Sequence, residues 1–397
     1  MGDLDLDPER LLRELTATIA AAQEIEEADR GMETPETVDP YRRYRLASNL
    51  STLAELAKDP ARPYVGAWVL WLLLGRTTLT TARAEAAARQ QPGVRLELTE
   101  VSLRQGIRDL LGATTPDERR RVALAIEKAA APAADAASEL WMRRGEVLRH
   151  AGGEALWPLL QPLPTRADLD ALAAHALDAT DELAAHVLRA GHWSDALALG
   201  AGREDDVPWP RALTSRWLLA PFEGEARWLD LPSLSLGPLP AMLGGSSATR
   251  AMARLGARWA DAAGSRQLPR PLAQLPSGLA RLRTGALFAS LLQSPEFLVR
   301  GLGQSRFEAD RTRRQQARVA LVALRLEAVR VRQMLAAIGG DRGAARSLGA
   351  DQAGRALQVR WPADLALALP RSRPTSPARL LAFGLGALEA RALRDAH

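Results

Sequence analysis

Apolar side chains recur every three or four residues along most of this chain, and that spacing admits helices far more readily than strands. Leu11, Leu12, Leu15, Ile19 and Ala22 mark one such helix face. The same spacing predicts helices over about 42–58, 64–90, 99–112, 116–150, 167–190, 247–264, 279–294, 309–338 and 376–394. Thr115 before Pro116, and Thr165 with Asp168 before Leu169, sit where helix starts are capped. One stretch breaks the pattern: 206–246 carries Pro208, Pro210, Pro221, Pro232, Pro238 and Pro240 among Gly224, Gly237, Gly244 and Gly245. Within it, 216–222 and 227–231 flank Glu223-Gly-Glu-Ala226, which reads as a hairpin with Pro221 on an edge strand. The expected fold is therefore mostly α with one small β-hairpin insertion. A break from Gly152 to Pro164 parts an N-terminal helical region, 1–160, from a helical domain, 165–397.

Composition closes several routes to chemistry. The 397 residues include no cysteine, which removes disulfides, thiolate metal sites and cysteine nucleophiles. Lys58 and Lys128 are the only lysines, and neither follows a glycine, so a phosphate-binding loop ending in Gly-Lys-Ser/Thr is absent. Gly244-Gly-Ser-Ser-Ala248 departs from the nucleophile elbow, and Gly301 and Gly303 lead to Arg306 where a dinucleotide fingerprint needs a third glycine. None of the five histidines neighbours a glutamate, so neither H-E-x-x-H nor its inverse occurs. His175, Asp178, Glu182 and His186 would share one face of a helix over 167–190, a row able to ligate a divalent ion. The same row reads more plainly as the solvated face of a helix packed through Leu172, Leu177, Leu183, Val187 and Leu188. No metal and no cofactor is expected.

The 52 basic residues outnumber the 47 acidic ones, and the excess lies late in the chain, with 16 Arg against seven Asp and Glu after residue 309. Arg311, Arg318, Arg325 and Arg332 recur seven apart on the predicted long helix. They read either as a basic rail for a nucleic acid or an acidic partner, or as internal bridges to acids. No aromatic residue for base stacking lies between Phe307 and Trp361, which weakens a nucleic-acid partner. Met1-Gly-Asp-Leu-Asp-Leu-Asp7 is acidic where a signal peptide is basic, and the apolar run Tyr64–Leu74 is too short to span a bilayer. A cytoplasmic chain with no membrane contact is expected.

The second half carries an order of motifs. Leu243-Gly-Gly-Ser-Ser-Ala-Thr-Arg-Ala-Met-Ala-Arg-Leu-Gly-Ala-Arg-Trp259 opens a helix after the hairpin segment. Pro276-Ser-Gly-Leu-Ala-Arg-Leu-Arg-Thr-Gly-Ala-Leu-Phe-Ala-Ser-Leu-Leu292 follows, then Pro295-Glu-Phe-Leu298 and the arginine-rich helix from Ala317 to Arg330. Pro377–Arg391 supplies a last helix. Over roughly 210–397 this resembles the catalytic half of the thimet oligopeptidase/oligoendopeptidase family of zinc peptidases. The resemblance implies a two-lobed clam-shell of helices with a groove between the lobes. It places Ala253 and Ala257 at the two histidine ligands, Arg254 at the glutamate base and Arg283 at the third ligand. Alanine donates nothing to zinc, and a fixed guanidinium repels it. The implied protein is a pseudoenzyme that binds a peptide or protein partner in its groove. Arg254, Arg258, Arg283, Arg318 and Arg325 are the residues expected to contact an anionic group. An Arg-rich binder of nucleic acid or an acidic partner, and a purely structural helical scaffold, stay open beside it.

Overall fold

The computed structural model describes residues 7–31, 39–42, 45–56, 63–152, 165–202, 207, 209–224, 236–237, 239–264 and 268–395. Among them the order is α1 (Pro8–Gly31), α2 (Leu50–Leu56), α3 (Pro63–Thr77), α4 (Leu79–Gln90), β1 (Pro92–Leu96), β2 (Thr99–Ser102), α5 (Leu103–Gly112), α6 (Pro116–Ala129) and α7 (Ala131–Ala151). There follow α8 (Arg166–Asp178), α9 (Asp181–Val187), α10 (Trp193–Gly200), α11 (Ser215–Gly224), α12 (Gly245–Ala263), α13 (Arg270–Ala273) and α14 (Leu279–Ser290). The last three are α15 (Arg306–Ile338), α16 (Arg342–Leu357) and α17 (Ser376–Asp395). The fold is mostly α, with one two-stranded antiparallel sheet.

Helix starts follow the capping chemistry of the sequence. Thr115 Oγ1 accepts from Glu118 N at 3.2 Å, and Thr165 and Asp168 exchange side-chain and backbone bonds at the start of α8. Ser305 and Glu308 do the same for α15, whose 33 residues make a rod about 50 Å long. This rod is the axis of the molecule: α7, α8, α10, α12, α16 and α17 all pack on it.

Among the described residues the one hairpin lies at 92–102. Pro92 cannot continue α4, and Val94, Leu96 and Val101 alternate with Arg95, Glu97 and Glu100, the period of a half-buried strand. Val94 pairs with Val101 and is fully buried, against Gly106 and Ile126. Residues 99–102, expected as helix, are therefore strand. Residues 216–222, expected as a strand, lie in helix α11. Thr214 Oγ1 accepts from Trp217 N at 3.1 Å to start it, and Leu218 is buried among Leu213, Leu243 and Met252. The partner segment 227–231 falls outside the described residues.

Two apolar clusters fill the interior. The larger runs from Leu11, Leu15 and Ile19 of α1 through Trp68, Leu70 and Leu72 of α3 to Val329, Val331 and Leu335 of α15 and Leu380 of α17. Both regions expected from the sequence, 1–160 and 165–397, contribute to it. Each such fully buried leucine or valine contributes about 1.5–3 kcal/mol. The smaller cluster joins Leu213, Leu218, Leu236, Leu243, Met252, Leu255 and Leu292 beneath α11 and α12. Among the described residues no helix is long and apolar enough to cross a membrane.

Candidate functional site

The residues singled out by the peptidase resemblance lie on α12 and α14, which touch backbone to backbone. A Cβ on Gly256 would stand 2.5 Å from Thr284 O, and one on Gly285 would stand 2.6 Å from Ala253 O. Two glycines thus let the helices approach to a distance that alanine would forbid. α17 extends the same layer, since a Cβ on Gly386 would stand 2.7 Å from Ala286 Cβ. At this seam Ala253 and Ala257 are part-buried and offer no donor.

The arginines around the seam serve different neighbours. Arg254 Nη1 donates to Leu236 O, which ties α12 to the segment before it. Arg283 Nε pairs with Glu389 Oε1 of α17 at 3.1 Å, and Arg281 Nε with Asp261 Oδ1 of α12 at 2.9 Å. Arg258 is exposed. Arg254 and Arg283 are therefore engaged in tying α12 to the preceding segment and α14 to α17.

The carboxylate–histidine row is not a row in the structure. The predicted helix over 167–190 breaks at Ala179 and Thr180, so His175 and Asp178 lie on α8 while Glu182 and His186 lie on α9. The break has a local cause. Thr180 Oγ1 donates to Ala176 O at 2.6 Å, and Leu177 O accepts from Thr180 N at 3.2 Å, in a tighter turn, and from Arg325. All four side chains of the row are exposed, and Asp178 pairs with Arg355 Nη2 at 2.5 Å. Among the described residues no three His, Asp or Glu side chains gather as metal ligands.

The seven-residue arginine series of α15 turns inward. Arg325 is completely buried, and all five of its guanidinium N–H groups are used. Nε donates to Ala356 O at 2.8 Å, Nη1 to Leu177 O at 2.9 Å and to Thr180 Oγ1 at 2.6 Å, and Nη2 to Asp181 Oδ1 at 2.7 Å and Arg355 O at 2.8 Å. The charge sits at the C-terminal ends of α8 and α16, where unused carbonyls and the helix dipoles favour a cation. Burial lowers the pKa of Arg325, and the bond to Asp181 works against that shift. Arg332 Nε bonds Asp170 of α8 at 2.9 Å and its Nη1 bonds Gln352 of α16 at 3.0 Å. Arg318 is half-buried, and burial lowers its pKa. Arg311 lies 5.8 Å from the centre of the Phe307 ring. Of the two readings of this series, internal bridging holds for Arg325 and Arg332, so Arg325 cannot contact a peptide or a nucleic acid.

Asp181 completes the arrangement. Burial raises the pKa of its carboxyl, but hydrogen bonds from Arg355 and Arg325, with their charges, outweigh this and hold it below the ordinary 3.8. A carboxyl whose folded-state pKa is depressed contributes stability above its unfolded-state value, and loses it as the pH falls through the folded-state value. An Asp181→Asn variant is expected to melt lower than the natural chain at about pH 6 and to converge with it towards about pH 2. Melting followed by circular dichroism across that range checks this. A constant gap between the two would place the effect elsewhere.

No protein-family model matches the chain, and no curated protein or solved structure matches it either. The resemblance to the zinc oligopeptidases therefore rests on the residues quoted for it.

Proposed function

We propose that this chain is a non-catalytic relative of the zinc oligopeptidases, a helical protein that binds a peptide or protein partner without cleaving it. The observation that supports the reading is the seam between α12 and α14. There Ala253 and Ala257 stand where the resemblance puts histidine ligands, and the two helices meet at Gly256 and Gly285. Hydrolysis of this class needs three protein ligands to hold zinc and an activated water on it. The Arg283–Glu389 pair adds a fixed cation at the third ligand position, which repels a metal ion. A purely structural scaffold is the second reading, favoured by the inward use of Arg325 and Arg332.

The test offers the full chain a panel of fluorescent peptides of acidic, neutral and basic sequence, with added zinc. Anisotropy reports binding and mass spectrometry reports cleavage. At least one peptide class is expected to bind and to be recovered intact. Cleaved peptide would overturn the non-catalytic reading, and failure of every class to bind would leave the scaffold.

A further inference from the structure

Where the loop after α9 enters α10, a cleft of about 240 Å³ opens against α6. Its polar lining is Arg119 of α6, Arg189 and Gly191 of the loop, and Asp195 of α10, and its apolar lining includes Ala198 and Leu199 of α10. Two ties fix α10 to α6 beside it. Trp193 Nε1 donates to Glu127 Oε1 at 2.6 Å, and Arg119 Nε donates to Asp195 Oδ1 at 3.0 Å. The cleft therefore lies between elements that the core already holds in place.

The donors in this cleft outnumber its acceptors. Arg119 has a side chain only 14% exposed, and its Nη1 donates to Ala113 O, just past α5, at 3.2 Å. Nε and Nη1 thus fix the guanidinium, while Nη2 makes no hydrogen bond among the described residues. Asp195 is drawn on twice, since Arg120 Nη2 also stands 3.7 Å from its Oδ2. Arg189 is exposed at the cleft, and among the described residues it has neither a hydrogen bond nor an ion pair. The backbone N–H of Gly191 is likewise unused among them. One carboxylate is therefore set against three guanidinium groups, two of which line the cleft.

We propose that this cleft binds the carboxylate of a small organic acid, with Arg119 and Arg189 donating to its oxygens and Ala198 and Leu199 lying against its carbon chain. The planar fork of a guanidinium matches the two oxygens of a carboxylate. Asp195 stands in the same cleft and repels a dianion more than a monoanion, which favours a carboxylate over a phosphate. The volume falls below the range of about 300–1,000 Å³ for drug-sized ligands, which suits an acid of a few carbons. None of the lining residues named here lies on α12 or α14, so the site does not depend on the peptide-binding reading.

Calorimetric titration of the full chain with sodium butyrate, in dilute zwitterionic buffer near pH 7, tests it. One butyrate per chain is expected, with affinity falling about tenfold or more in Arg189→Ala. Arg189 holds nothing inside the fold, so this variant should keep the natural melting temperature. An Arg143→Ala variant on α7, whose natural arginine pairs with exposed Glu146, is expected to bind butyrate as the natural chain does. Formate, which lacks the carbon chain, should bind more weakly by at least about fourfold, the effect of one buried methylene. Titration with N-acetyl-leucine separates the sources of the carboxylate. Weaker binding than butyrate makes the ligand a free small acid, and tighter binding makes it a chain end. The proposal is overturned if the natural chain binds no butyrate, if Arg189→Ala binds it undiminished, or if inorganic phosphate binds more tightly than butyrate.

Discussion

Arg325→Met is expected to lower the unfolding free energy by about 3–5 kcal/mol, the cost of removing one partner from a buried charged network. Methionine fills much of the volume but donates nothing. Three backbone carbonyls, Leu177 O, Arg355 O and Ala356 O, would each lose a guanidinium N–H, Leu177 O keeping Thr180 N and Arg355 O keeping Gln358, and Thr180 Oγ1 would lose its third partner. Asp181 would keep Arg355 and lose its buried partner. Arg325→Lys should recover only a small part, since an ammonium reaches fewer of these acceptors and cannot span two helix ends. Urea unfolding of the three proteins, followed by tryptophan fluorescence, gives the comparison. A loss below about 1 kcal/mol in Arg325→Met would show that water or a neighbouring side chain satisfies these carbonyls without difficulty.

Trp193→Ala is expected to cost about 3–5 kcal/mol, the range for truncating a large aromatic side chain in a packed interior. Trp193 opens α10 and is 1% exposed. Its Nε1 donates to Glu127 Oε1 of α6 at 2.6 Å, and its ring meets that of Trp361 edge-on, with centroids 5.4 Å apart. The substitution therefore opens a cavity, strands a carboxylate and removes an aromatic contact at once. Trp193→Phe should recover most of the packing and none of the hydrogen bond, so the loss that remains in Trp193→Phe reports the bond to Glu127 and the difference between the two variants reports the packing. Thermal melting by calorimetry checks both, and equal losses for Phe and Ala would assign the whole effect to that bond.

Much of the helical frame could be read from the sequence because capping residues and apolar spacing act locally. Thr115, Thr165 and Asp168 cap the helices expected of them. The helix α16 escaped that reading because its buried face is made of Ala345, Gly349, Ala353 and Ala356, which give almost no hydrophobic contrast. Asp341, whose carboxylate accepts from Ala344 N at 2.8 Å, was its one clear signal. The hairpin at 92–102 was legible in the alternation of Val94, Leu96 and Val101 with charged residues, but helical spacing in the following segment overran it. Prolines drew attention to 216–222, where Thr214 and the burial of Leu218 favour helix.

The candidate sites were harder to read because their partners are remote in sequence. Nothing near Arg325 distinguishes it from Arg318 or Arg332. Its acceptors come from 177–181 and 355–356, so only the packed fold decides which arginine of the series is enclosed. The four residues of the supposed metal row looked related because a continuous helix was assumed through Thr180.

The shared core has a consequence for how the protein is made. Arg149 of α7 donates to Ile338 O at the end of α15, across 189 residues of chain. At ribosomal speeds of about 5–20 residues per second, that half of the contact waits roughly 10–40 s for the other to emerge. For that interval the face of α7 that packs on the rod has no rod to pack against. A chain truncated before α15 would leave that face of α7 uncovered permanently.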